Sequence, residues 1–160
     1  MTFVDASLAA GRKTGQIKLH GPADFDGMRK AGRLTAQALD MLVDEVRPGM
    51  ATARLDDLVF QFAMDHGAYP APLDYRGYRK SICTSINHVV CHGIPDDKPL
   101  REGDIVNIDV TLIVDGWHGD SSRMYGVGAI PRRAERLIDV TYESLLRGIA
   151  VTKPGGHTGD

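Results

Sequence analysis

The chain has 160 residues, a formal net charge of −2, and hydrophobic and charged shares of 42% and 25%, so it is at most one ordinary domain, long enough to bury a core. The near-neutral balance gives no pull toward nucleic acid or an anionic membrane, and there is neither an apolar run of about 18 residues nor a charged leader ahead of a greasy segment. Cys83 and Cys91 form neither a disulfide framework nor a CxxC site, so the sequence predicts a protein of the reducing cytoplasm.

Met1–Leu19 lacks periodicity and is expected to be a loose N-terminal arm, with Arg12, Lys13 and Lys18 in solvent and the folded part covering 20–160. A helix is predicted from Asp24, which can cap it, to about Val46; Met28, Ala31, Thr35, Ala38, Leu39 and Leu42 mark one face at helical spacing. Pro48-Gly49 ends that stretch, because proline cannot continue the ladder and glycine accepts the left-handed region. A second helix is predicted from a Thr52 cap, with Leu55, Leu58, Val59 and Phe62 on its buried face and Gly67 closing it. His66, near that C-terminus, complements the helix dipole.

Tyr69-Pro70-Ala71-Pro72 reads as a rigid connector. Ile82–Ile86 and Val89–Cys91 read as short β runs, Gly93–Pro99 as a turn-rich loop, and Gly103-Asp104 as a tight turn. The stretch that follows is the clearest in the chain. Val106, Ile108, Val110, Leu112 and Val114 alternate with Asn107, Asp109 and Thr111, giving a strand with one apolar and one polar face. Asp115-Gly116 is a strong hairpin signal, because a type I′ turn needs positive φ at both central residues. With a two-residue loop Val114 pairs with Trp117 and Asp120 lies opposite Thr111, so Asp109 and Asp120 are diagonal neighbours with Cα atoms roughly 7–8 Å apart. Two carboxylates so placed can grip one or two divalent cations, and hydrolytic two-metal centres hold their ions about 3.5–4 Å apart; without a cation they repel, and one is driven to keep its proton. An ordinary solvated hairpin with two exposed aspartates is the alternative reading of the same residues.

Beyond the hairpin, Pro131 sits where a first-turn proline belongs, and a third helix is predicted to about Thr152, with Ala134, Leu137, Ile138, Thr141, Leu145 and Ile149 on its inner face. It ends in Lys153-Pro154-Gly155-Gly156-His157-Thr158-Gly159, which matches Arg47-Pro48-Gly49-Met50-Ala51-Thr52-Ala53 as basic–Pro–Gly–x–x–Thr–small. The match suggests a duplicated helix–helix–strand unit whose second copy has only begun.

Ser85-Ile86-Asn87-His88-Val89-Val90-Cys91-His92-Gly93-Ile94-Pro95-Asp96, with Gly103-Asp104-Ile105-Val106-Asn107-Ile108-Asp109 and Gly116-Trp117-His118-Gly119-Asp120, resembles the methionine aminopeptidases, specifically the bacterial type I enzymes. The resemblance runs from about Phe25 to the last residue and is densest over Tyr75–Asp120. It implies an α/β (α+β) pita-bread creatinase/aminopeptidase fold, of which this chain would be the first half, an antiparallel sheet covered by helices.

The same resemblance implies the site. Asp109 and Asp120 match the first two metal-binding carboxylates; in the family one chelates one ion, the other bridges both, and a histidine and two glutamates without counterparts here complete the centre. The implied cofactors are two divalent ions, Co²⁺, Mn²⁺ or Fe²⁺, with Zn²⁺ and Ni²⁺ as further options. His92 matches the histidine that meets the substrate near the scissile amide, where it can donate a hydrogen bond to developing charge. Tyr75, Tyr78 and Cys83 match positions lining the pocket for the methionine side chain, and a thioether suits such walls. Arg76 and Arg79 stand where the family more often has histidine and proline, which adds charge to the rim. His88 and His118 are secondary positions, Asn107 is expected to orient an aspartate, and Asp104 to be a turn residue.

The function implied is removal of initiator methionine from nascent proteins in the cytoplasm. The expected partners are nascent N-termini and the ribosome near its exit tunnel, with no membrane and no specific nucleic-acid sequence, and the complete protein is expected to be a monomer. The isolated 160-residue chain is expected to be inactive. Rival readings are a non-catalytic pita-bread binding protein, a half-domain completed by a partner, and a related Xaa-Pro peptidase; that last group lacks the Cys-His-Gly-Ile-Pro-Asp loop.

Overall fold

The computed structural model describes residues 20–159. The expected arm, residues 1–19, lies outside the described residues. Helix α1 spans Pro22–Met41 and helix α2 spans Thr52–Asp65. Strands β1 (Tyr69–Pro70), β2 (Cys83–Ile86), β3 (Ile105–Val114) and β4 (Trp117–Gly126) follow, and helix α3 (Arg132–Val151) comes last.

The four strands form one antiparallel sheet around β3. β4 pairs with β3 along its whole length, Val114 with Trp117 through Ile105 with Gly126. The other edge of β3 is shared: Cys83–Ile86 of β2 take Val106–Asp109, and Tyr69–Pro70 of β1 take Leu112–Ile113. The Asp115-Gly116 turn has φ of 51° and 83°, the left-handed pair that a type I′ turn requires, and the register is the expected one throughout. Burial along β3 alternates strictly, with Val106, Ile108, Val110, Leu112 and Val114 all buried.

The buried face of the sheet is covered by α1. Ala31, Thr35, Ala38 and Leu39 are buried, and Thr35 Oγ1 donates to the carbonyl of Gly119 at 2.9 Å. A Cβ on Gly119 would strike the backbone of Ala31, so the glycine lets the helix lie directly on β4. Tyr125 Oη donates to the Leu39 carbonyl at 2.6 Å, pinning the far end. Leu55, Val59 and Ala63 bring α2 into the same core.

Several expectations are corrected. Helix α1 starts at Pro22, with Gly21 as its cap and Asp24 at the third position accepting the Gly21 N–H at 3.0 Å. It ends at Met41 rather than Val46, because the chain turns at Leu42 and buries both Leu42 and Val46 in the core by turns instead of helix. Met28 is half exposed. Thr52 is the first residue of α2 rather than its cap, and its hydroxyl is engaged with Asp96, whose N–H donates to it at 2.9 Å. Tyr69-Pro70 is a strand, not a mere connector: its position on the sheet edge tolerates a residue without an N–H. Val89–Cys91 forms no strand, since Asn87 (φ 53°) turns the chain away after Ile86. Pro131 caps α3 from just outside it. No residue of α3 is buried, and Leu137, Leu145 and Ile149 are each more than half exposed; among the described residues its apolar face is only partly covered, at Ala134 and Ile138.

Candidate active site

The strict alternation of β3 sends Asp109 and Thr111 to the face opposite the core, and the register puts Asp120 directly across from Thr111. Gly119 faces α1, so Asp120 next to it must face outward. Thr111 Oγ1 donates to Asp120 Oδ1 at 2.9 Å. This bond fixes one carboxylate oxygen, and it was legible in the register although the expected site did not use it. Burial, then the like charge of Asp120, push the Asp109 carboxyl above its ordinary range; the hydrogen bond with Asp120 adds to this and His92 opposes it. The two acids are therefore convergent, and His92 is within electrostatic reach of Asp109.

His92 is held by its neighbours. The Gly93 carbonyl accepts the Thr84 N–H at 2.8 Å, and the Gly93 N–H donates to Ser85 Oγ at 3.2 Å. A Cβ at Gly93 would collide with the Thr84 carbonyl, so the Cys-His-Gly turn needs its glycine to lie against β2. His92 itself has φ 55°, a left-handed conformation that a non-glycine residue keeps only when its surroundings impose it.

Cys83 pairs with Asp109 across the β2–β3 ladder. Tyr78 Oη donates to the Ile82 carbonyl at 2.8 Å and lies 3.5 Å from Cys83 Sγ. Burial raises the Cys83 thiol above its ordinary value, the Tyr78 hydroxyl pulls it back, and the Asp109 charge raises it again. Tyr78 is raised too, first by burial and then by Cys83. Thiol and phenol both stay neutral, giving an uncharged, polarizable wall beside the acids. Tyr75 stands apart at the rim, 61% exposed, with the Arg76 guanidinium 5.3 Å from its ring centre. Arg79 pairs with Asp74 at 3.3 Å.

The structure thus gathers Asp109, Asp120, His92, Cys83 and Tyr78 on one face and leaves Tyr75 beside it. His118 shares that strand face with Asp120 and is exposed, as is His88 in the turn after β2. Asn107 corrects its expectation: its amide donates to Ser122 Oγ at 3.3 Å, not to an aspartate. Asp104 is a turn residue, accepting from Arg101 N at 2.9 Å and from Asn87 Nδ2 at 2.8 Å.

The donor chemistry fits divalent cations: two hard carboxylates converge, and their mutual repulsion is what a cation would relieve. Among the described residues no third His, Cys, Asp or Glu joins them in a cluster able to hold a metal ion. Two carboxylates alone do not make a complete set of ligands for a divalent ion.

The sequence pattern of metallopeptidase family M24 matches residues 26–160. The methionine aminopeptidase of Rickettsia prowazekii (strain Madrid E) is 58% identical over 144 residues, covering 90% of this chain and 56% of that protein. The crystal structure of methionine aminopeptidase from Thermotoga maritima superposes with a TM-score of 0.84 at 35% identity, over 88% of this chain and 57% of that one. Escherichia coli aminopeptidase P, solved as a Glu383Ala variant with substrate, superposes with a TM-score of 0.74 at 26% identity, over 84% of this chain and 30% of that one. The fold is the expected pita-bread fold, and the chain spans about half the length of the methionine aminopeptidases it matches.

Proposed function

The chain belongs to metallopeptidase family M24, and from that premise we propose that the protein containing it removes initiator methionine from nascent proteins by metal-dependent hydrolysis. The observation that carries the reading is the convergence of Asp109 and Asp120 beside His92 on the polar face of the β3–β4 hairpin. Asp109 and Asp120 would hold the cations, and the chemistry such a centre supplies when bound is activation of water and of the scissile carbonyl. The chain's own residues do the rest that is on hand. Thr111 orients Asp120, His92 donates a hydrogen bond to charge developing at the scissile amide, and Tyr78, Cys83 and Tyr75 receive the methionine side chain. Co²⁺, Mn²⁺ and Fe²⁺ suit the carboxylates, with Zn²⁺ and Ni²⁺ as further options.

The reading includes a cytoplasmic location and nascent N-termini as the partner, met near the ribosome exit, by a monomer. It also includes inactivity of the 160-residue chain by itself, since two carboxylates leave each ion short of ligands. Identity of 58% to a methionine aminopeptidase against 26% to aminopeptidase P favours this over an Xaa-Pro peptidase. The deciding experiment gives the full-length protein Met-Ala-Ser and Xaa-Pro peptides with each metal. Turnover of Met-Ala-Ser is expected; turnover of Xaa-Pro alone, or of neither, overturns the proposal.

A further inference from the structure

Asp56 lies on α2 and is 6% exposed, an unusual place for a carboxylate. Its Oδ1 accepts the N–H groups of Ser81 at 2.6 Å and Ile82 at 3.1 Å, and its Oδ2 is 3.6 Å from Lys80 Nζ. Burial pushes the carboxyl above its ordinary range, while the two backbone donors and then Lys80 pull it back. Further links tie this carboxylate to Tyr78 and Cys83. The Ile82 carbonyl accepts Tyr78 Oη, the Tyr78 carbonyl accepts the Asp74 N–H at 2.7 Å, and Cys83, next in the chain, pairs with Asp109. One core carboxylate thus grips the two residues from which both Tyr78 and Cys83 are hung.

We infer that Asp56 is a positioning residue for the proposed methionine pocket: it holds Ser81 and Ile82 so that Tyr78 and Cys83 stand as one wall beside Asp109. The inference rests on the aminopeptidase reading above and extends it to a residue buried in the core. A charge on Asp56 is secondary; the geometry needs an acceptor oxygen for two N–H groups.

The test compares Asp56→Ala, Asp56→Asn and Tyr78→Phe in the full-length, metal-loaded protein, with Met-Ala-Ser and Leu-Ala-Ser as substrates. Loss of the wall weakens substrate binding, so Asp56→Ala and Tyr78→Phe are expected to raise KM for Met-Ala-Ser roughly tenfold and to narrow the preference for methionine over leucine. Asp56→Asn, which keeps the acceptor oxygen, recovers most of that loss. A merely stabilising carboxylate would instead lower the active fraction, and hence kcat, with KM and the preference unmoved; that result overturns the inference. If Asp56→Ala does not fold, Tyr78→Phe decides, and native KM and preference in that variant sink the relay. No turnover in the unsubstituted protein overturns the aminopeptidase reading and this inference with it, whereas normal turnover with unmoved KM in the variants overturns the inference alone.

Discussion

Asp109 carries a cost that a cation would turn into affinity. Its carboxyl is raised above the ordinary value by burial and by Asp120. Between the ordinary and the raised value the native state holds this proton more tightly than the unfolded chain does, so metal-free stability falls as pH climbs through that interval. Asp109→Asn removes the term. The metal-free protein is then expected to be more stable at neutral pH, by a modest amount because water partly screens the pair. The same variant should lose divalent-cation binding and activity. Thermal melts at several pH values with a metal titration check both halves; an Asn variant that is less stable, or that still binds metal, contradicts the assignment. His92 is held in a left-handed conformation at the site, and His92→Ala is expected to lower kcat about 100-fold with the fold intact, as steady-state kinetics and circular dichroism would show. Asp109 and Asp120 were legible because register and motif both pointed to them, and His92 through the motif alone. Asp56 was not, because a carboxylate at helical spacing looks like any solvated face until the strand that it caps is in place.

Among the elements, the β3–β4 hairpin was the most legible, since period-2 burial and the Asp115-Gly116 turn specify one register without outside help. Strand β1 was hidden by its proline, which argues against a strand except at an edge, and the edge exists only once β3 is flanked by a β2 too short to fill it. Helix α1 was read too long because Leu42 and Val46 continue its apolar pattern, yet the chain delivers both to the core through turns. The bounds of α3 were legible but not its surroundings, as periodicity tells which face wants cover and nothing about whether cover is there. With Leu137, Leu145 and Ile149 exposed, α3 has little beyond its own hydrogen bonds to hold it. In the 160-residue chain its amides are expected to exchange with solvent far faster than those of β3, and hydrogen exchange read by mass spectrometry would show it; equal protection would mean that the apolar face is covered.

At the scale of the molecule, the core is made by α1, α2 and one face of the sheet, and the candidate site is the opposite face of that sheet. The layer that buries the hydrophobic side is thus the platform that aims the acids. The fold class follows from helices and strands legible in the sequence, whereas the crowding at Gly93 and Gly119 became visible only with the layers assembled. Both glycines sit next to a site residue, His92 and Asp120, and each keeps the backbone low enough for its neighbour to reach the face.

The hairpin that carries the acids also closes over a two-residue loop, which makes it the most local long pairing in the sheet and sets an order of events in time. Isolated hairpins form in about 1–10 μs, whereas a ribosome adds roughly 5–20 residues per second. Helix α1, which packs on β4, is made before either strand. The acid pair can therefore form once Gly126 is free of the ribosome, before α3 is complete. Gly116→Val, which opposes the turn, is expected to slow refolding more than it speeds unfolding; stopped-flow kinetics showing the reverse would place the hairpin late instead.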